Sequence, residues 1–345
     1  MGNRTKTLLT VIIFIVVCSS VYADQGDSIV FNPKTGNYLI TYYSAIDKKI
    51  ERLVFIPATK FKPKLKNIFK LDQDGVIHYQ YTLISGSESQ QNIVLLILDP
   101  VTSVVTRLSD IPLNSQIETS MGDLINKAKL LDTPPAPWES SMNYANGGKA
   151  YRFGLMYPNA TGGLLPGNKL GFGYRSLDLP GIIQAEIHSY AADSQDIDGE
   201  EIPEAADGGF GKQYFELIRN NFLRRSAAVP TIVVPTPFNT SVLLGNIQTQ
   251  MHTWIGLQLL DATFSSQLDR YLAASTNAFN KNEIKAGKEG IKTVLNMLKQ
   301  EHQDIDLDDD KEDVKFADKS KPIKIDRLAA KVLTFNLQYL LKRLD

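Results

Sequence analysis

The sequence predicts an α+β multidomain protein, with an N-terminal β-sandwich-like domain followed by a small C-terminal helical bundle. Three observations carry this. Residues 28–190 contain short β-branched and aromatic runs punctuated by Asn, Asp, Gly and Pro turns. Residues 247–340 instead repeat apolar side chains every three or four positions. The chain has 345 residues, enough for two domains at about 150 residues each. A composition of 43% hydrophobic and 22% charged residues excludes disorder throughout. A net charge of −1 argues against a nucleic-acid partner, which calls for a clustered basic excess.

The N-terminus carries the most specific signal. Arg4 and Lys6 precede an apolar run over residues 8–17, and Val21-Tyr22-Ala23 sets up cleavage before Asp24. This is the pattern of a secretory signal peptide. The run is too short for a bilayer, which needs about 20 apolar residues. An uncleaved anchor is the alternative. Lipidation at Cys18 is disfavoured, because Val17 stands where Gly, Ala or Ser is usual. Membrane contact is expected through the signal peptide or that lipidation alone. Cleavage removes Arg4 and Lys6, taking the net charge from −1 to −3, and removes Cys18, the only cysteine. The mature protein then has no disulfide, thiolate ligand or cysteine nucleophile. Export without cysteines places it in the bacterial periplasm or outside the cell.

Taken in order, residues 28–31 and 38–43 form a hairpin about the turn at 32–37, and residues 52–56 add a strand. The basic run 60–66 (KFKPKLK) is a solvated edge or loop, since lysine guards strand edges; contact with an anionic surface is the other reading. In 76–83, Ile77, Tyr79 and Tyr81 alternate with His78, Gln80 and Thr82. Residues 92–98 are apolar enough for a strand buried on both faces. A short helix at 121–131, a Pro-rich turn, Trp138 and a strand at 150–156 follow. Pro166-Gly167 and Pro180-Gly181 each precede a strand-like run, closing the β-domain near residue 190.

The boundaries are then 1–23 for the signal peptide, 24–190 for the β-domain, 191–241 for an acidic and Pro-rich connector and 242–345 for the bundle. The connector holds a short helix at 213–225 and an extended 229–238 stiffened by Pro230, Pro235 and Pro237. Four apolar stripes mark the helices: Ile247 to Leu259, Phe264 to Phe279, Ile284 to Leu298 and Ile325 to Leu340. Each stripe needs a partner, so a small bundle is the economical arrangement. Residues 303–322 are an acidic insert.

The tyrosine-rich YQYTLISGSESQQNIV, the lone Trp138 and the segment L-P-G-x-x-L-x-G-F-x-Y-x-S-x-x-L-P-G-I resemble an uncharacterised group of bacterial secreted proteins. The L-x-x-N-x-x-Y-L-L-x-x-L pattern at residues 333–344 is similar to a FIMAH-type helical module. The resemblance covers about residues 70–345. It implies an N-terminal β-domain and a C-terminal helical module, and it transfers no catalytic residues.

Two acidic stretches offer hard oxygen ligands of the kind Ca²⁺ takes: Asp196, Asp198 and Glu200, then Asp304, Asp306 and Asp308. An EF-hand started at Asp304 fails, with Asp309 at the glycine position and Lys315 at the glutamate position. Solvated acidic segments are the plainer reading. No nucleophile elbow, zincin, P-loop or dinucleotide motif occurs. The histidines His78, His188, His252 and His302 lack short metal-ligand spacing, although strand positions let His78 and His188 meet. The sequence therefore points to non-catalytic binding or scaffolding of an extracellular or envelope ligand. A secreted hydrolase using β-domain carboxylates and a cation-stabilised structural module are the alternatives.

Overall fold

The computed structural model describes residues 27–44, 48–73, 75–101, 138–145, 148–155, 162–189, 209–302 and 324–345. Among them are three antiparallel sheets and five α-helices, with the helices mostly in the C-terminal half, which is the expected α+β class. The chain divides into two compact units, residues 1–55 with 194–220, and residues 56–193 with 221–345. The signal peptide, the helix expected over 121–131 and both acidic segments lie outside the described residues.

In the first unit β1 (Ser28–Asn32), β2 (Asn37–Ser44) and β3 (Lys49–Phe55) form a meander in sequence order. The expected hairpin turn is held by Asn32, whose Oδ1 accepts from the Lys34 amide at 3.0 Å, and by Gly36 at a φ of 66°. Alternation puts Ile40, Tyr42 and Phe55 on the buried face, while Val30, Leu39 and Val54 stand in register and exposed on the other. Helix α1 (Phe210–Arg219) buries Tyr214. It ends at Asn220, earlier than the helix expected over 213–225, because Phe222 already belongs to a strand.

The second unit has a five-stranded sheet, ordered β11-β10-β6-β8-β7, and a three-stranded sheet, ordered β4-β5-β9. Their strands are β4 (Pro63–Leu71), β5 (Ile77–Ser85), β6 (Ile93–Val101), β7 (Trp138–Ala145), β8 (Gly148–Leu155), β9 (Lys169–Ser176), β10 (Leu179–Ser189) and β11 (Phe222–Ile232). The strand at 229–232 departs from the expected stiff linker. Pro230 is tolerated there because β11 is an edge strand, where a missing N–H breaks no second ladder.

The period of two in β5 sends Ile77, Tyr79, Tyr81 and Leu83 inward, each at most 2% exposed. Phe69 from β4 and Phe172 from β9 join them. The buried phenols need acceptors, and they find them in the bend after β9 and on β11. Tyr79 Oη donates to the Asp178 carbonyl at 2.7 Å, and Tyr81 Oη donates to the Ala228 carbonyl on β11 at 2.6 Å. Asn67 Oδ1 on β4 accepts from the Ala228 amide at 3.1 Å, tying the β4 edge to the β11 edge. Trp138 on β7 packs on Phe172 with ring centroids 5.3 Å apart.

The four expected C-terminal helices are α2 (Thr240–Gly256), α3 (Ala262–Asn280), α4 (Ile284–Glu301) and α5 (Arg327–Arg343). Three begin at a side-chain cap: Asn239 accepts from the Val242 amide, Asp261 from Phe264 and Asp326 from Leu328. Helices α3 and α4 approach closely at Gly287, where a Cβ would stand 2.4 Å from the Phe279 ring. Helix α5 reaches both sheets of this unit. Its Phe335 meets Phe69 edge-on at 5.1 Å, and its Asn336 Nδ2 donates to the Pro180 carbonyl at 2.8 Å. One apolar core runs through the two sheets and these helices.

Candidate functional site

The four histidines stand apart from one another. Asp196, Asp198, Glu200, Asp304, Asp306 and Asp308 all lie outside the described residues. His78 on β5 pairs with Asp72, and His188 on β10 has Glu186 Oε2 at 3.6 Å and the Phe222 ring at 5.2 Å. They sit on different sheets with different carboxylates. His252 on α2 holds Asp269 on α3 at 2.7 Å, and His302 Nε2 lies 2.8 Å from the Ile325 carbonyl. Among the described residues, no group of three or more His, Cys, Asp or Glu side chains is arranged to hold a metal ion.

What the register does bring together is cationic. In β4-β5-β9, the same alternation that buries the tyrosines sets the even-numbered positions of β4 and β5 and the odd-numbered positions of β9 on the opposite face. Four rows cross the sheet: Lys64–Ile84–Lys169, Lys66–Thr82–Gly171, Ile68–Gln80–Gly173 and Lys70–His78–Arg175. A lysine row on β4 and a Lys/Arg pair on β9 therefore flank the polar middle of β5. None of these twelve register positions carries a carboxylate; Asp72 sits beyond the end of β4 beside His78. Lys64, Lys70, Gln80 and Lys169 are exposed, while Lys66, His78, Thr82 and Arg175 are half-buried. Half-burial of a lysine stem with its ammonium outward is the usual way such a residue covers a sheet.

Gly171 adds a second feature. Its φ lies outside the left-handed region, and a Cβ built on it meets nothing closer than the Tyr81 carbonyl at 4.0 Å. Neither backbone conformation nor packing demands glycine there. A glycine inside a strand with open space above it leaves bare backbone for another chain to approach.

Only part of this surface is legible in the sequence, which places Lys64 and Lys66 within the basic run 60–66. The alternation Lys60, Lys62, Lys64, Lys66 was visible locally, whereas Lys169 and Arg175 join it only through pairing with β5, about a hundred residues away in sequence. The one usable signal was the parity of Gly171, Gly173 and Arg175 in LGFGYRS, opposite to that of Leu170 and Phe172. No protein-family model, curated protein or solved structure matches this chain.

Proposed function

We propose that this chain is an exported bacterial protein that works by binding or scaffolding at or outside the cell envelope. Residues 1–23 act as its signal peptide. In this reading the two sheets of the second unit make a sandwich-like β-domain and the C-terminal helices a small bundle of the FIMAH-like kind. The observation that carries it is the outward face of β4-β5-β9, an array of cations around Gln80 and Thr82 on a sheet whose other face is packed into the core. A polar face held on paired strands serves recognition, since sites built on strands are more sharply positioned than sites on loops.

The test is expression of the full chain in a bacterial host, followed by fractionation and N-terminal sequencing. The expected product begins at Asp24, lies outside the cytoplasm, and sediments with isolated envelopes when purified and added back. A product retaining Met1 in the cytoplasm refutes the reading, and one that stays in the supernatant refutes attachment to the envelope itself.

A further inference from the structure

The outward face of β4-β5-β9 has a geometry that selects among ligands. Lys64 and Lys169 bracket one end across Ile84, and Lys70 and Arg175 bracket the other across His78. The ends are six residues apart, about 20 Å along the strands, and the flanking strands are two spacings apart, about 10 Å. Lys66 stands between the ends on β4. The strip inside this frame offers the Gln80 amide, the Thr82 hydroxyl and the open backbone at Gly171.

We propose that this face binds a linear anionic polysaccharide laid along the strands. Its acidic groups meet the lysines and Arg175 at the margins, and its hydroxyls meet Gln80 and Thr82 beside Gly171. Charge complementarity gives the attraction, while the bare backbone at the exposed Gly171 lets a sugar ring come close to the sheet. Two other polyanions fit less well. None of the twelve positions is Phe, Tyr or Trp, so the face has no platform on which a nucleic-acid base stacks. Its apolar members, Ile68 and Ile84, are half-buried among cations and present no protruding tip to enter a bilayer. This inference rests on the binding reading above and names its ligand.

The test uses the mature full chain, residues 24–345, with heparin and polygalacturonate as anionic probes and dextran as the neutral one. Calorimetric titration is expected to show salt-sensitive binding of both anionic glycans and none of dextran. Lys66→Glu is expected to weaken binding by about tenfold, because it turns one attractive contact into a repulsive one. Gly171→Leu changes no charge and fills the open strip; it is expected to weaken binding severalfold with an unchanged melting temperature. Lys281→Glu, an equal charge change at the end of α3, is expected to leave affinity as it was. Equal losses for Lys66→Glu and Lys281→Glu overturn the proposal, since net charge alone would then explain binding. Equal or tighter binding of anionic phospholipid vesicles or of a single-stranded oligonucleotide also overturns it. Absence of glycan binding by a wild-type chain that still sediments with envelopes removes the glycan ligand and leaves the broader binding function standing. A chain that does neither removes both.

Discussion

Asn336 is the side chain on which the junction of α5 with β10 depends. Pro180 stands opposite Pro230 in the β10–β11 ladder, so neither residue has an N–H to donate. Strand β6 pairs with β10 only from Glu186 onward, and offers nothing at Pro180. Asn336 Nδ2, fully buried, supplies the donor to the Pro180 carbonyl at 2.8 Å. Asn336→Leu keeps much of the volume and strands that carbonyl, which costs about 1–3 kcal/mol for a buried acceptor. The amide Oδ1 itself has no hydrogen-bond partner, so its removal offsets part of the loss, placing the net cost near the lower end of that range. At about 2–4 °C per kcal/mol, thermal unfolding followed by circular dichroism should show a drop of about 2–6 °C. Asn336→Asp is the sharper perturbation, because it sets a buried carboxylate against a carbonyl. It should cost several kcal/mol at neutral pH. Burial raises the folded-state pKa of the introduced group above its unfolded value of about 3.9, so the penalty should shrink in acid and grow as pH rises past that value. A leucine variant that melts with the wild type, or an aspartate variant as stable as leucine at neutral pH, refutes the assignment of this donor.

Four further outcomes follow from the space and the hydrogen bonds around single residues. Gly181→Ala would place a Cβ 2.0 Å from Thr231 Oγ1 and 2.7 Å from Gln250 Cγ, so a destabilisation of about 1–3 kcal/mol is expected in denaturant melts. Gly287→Ala should gain up to about 1 kcal/mol of helix propensity yet lose more against the Phe279 ring, giving a net loss. Gly171→Ala should leave stability near wild type, since its Cβ enters open space. Tyr79→Phe removes the bond to the Asp178 carbonyl and should cost about 1–2 kcal/mol at neutral pH. Burial holds the Tyr79 phenol well above its ordinary value. The folded state therefore keeps a proton that the unfolded chain releases, and stability falls as pH rises past about 10. That alkaline loss should be shallower in the phenylalanine variant, as read from unfolding curves across the alkaline range.

The elements legible in the sequence are those whose pattern is complete locally. Strand β5 announces itself through Ile77, Tyr79 and Tyr81, and all five of its inward positions are buried. Helices α2 to α5 follow from their stripes, and Asn239, Asp261 and Asp326 even mark three of their starts. Strand β11 was hidden because Pro230 and its neighbours carry the local preferences of a linker. Its pairing with β10 over the full length from Leu179 to His188 outweighs those preferences, and that pairing is a tertiary fact. Leu259 was read as the end of the first helical stripe, but Gln258 adopts a φ of 60° and turns the chain before it.

The same distinction explains the two motifs that carried the family resemblance. In the sequence, the L-P-G-I at residues 179–182 and the asparagine of the C-terminal pattern stand far apart, one in a strand-like run and one in a helical stripe. In the fold they are two sides of one contact. Pro230 has no N–H to give the Pro180 carbonyl it faces, Gly181 leaves the room in which Gln250 of α2 packs, and Asn336 of α5 answers that carbonyl. The register shift at Leu179/Pro180 leaves Thr231 as the extra residue of β11, pressed against the same glycine. Neither motif alone tells its purpose, because each supplies one half of a satisfied hydrogen bond. Their joint presence follows from a requirement: a proline pair in a ladder demands an outside donor, and the last helix is where this chain places it.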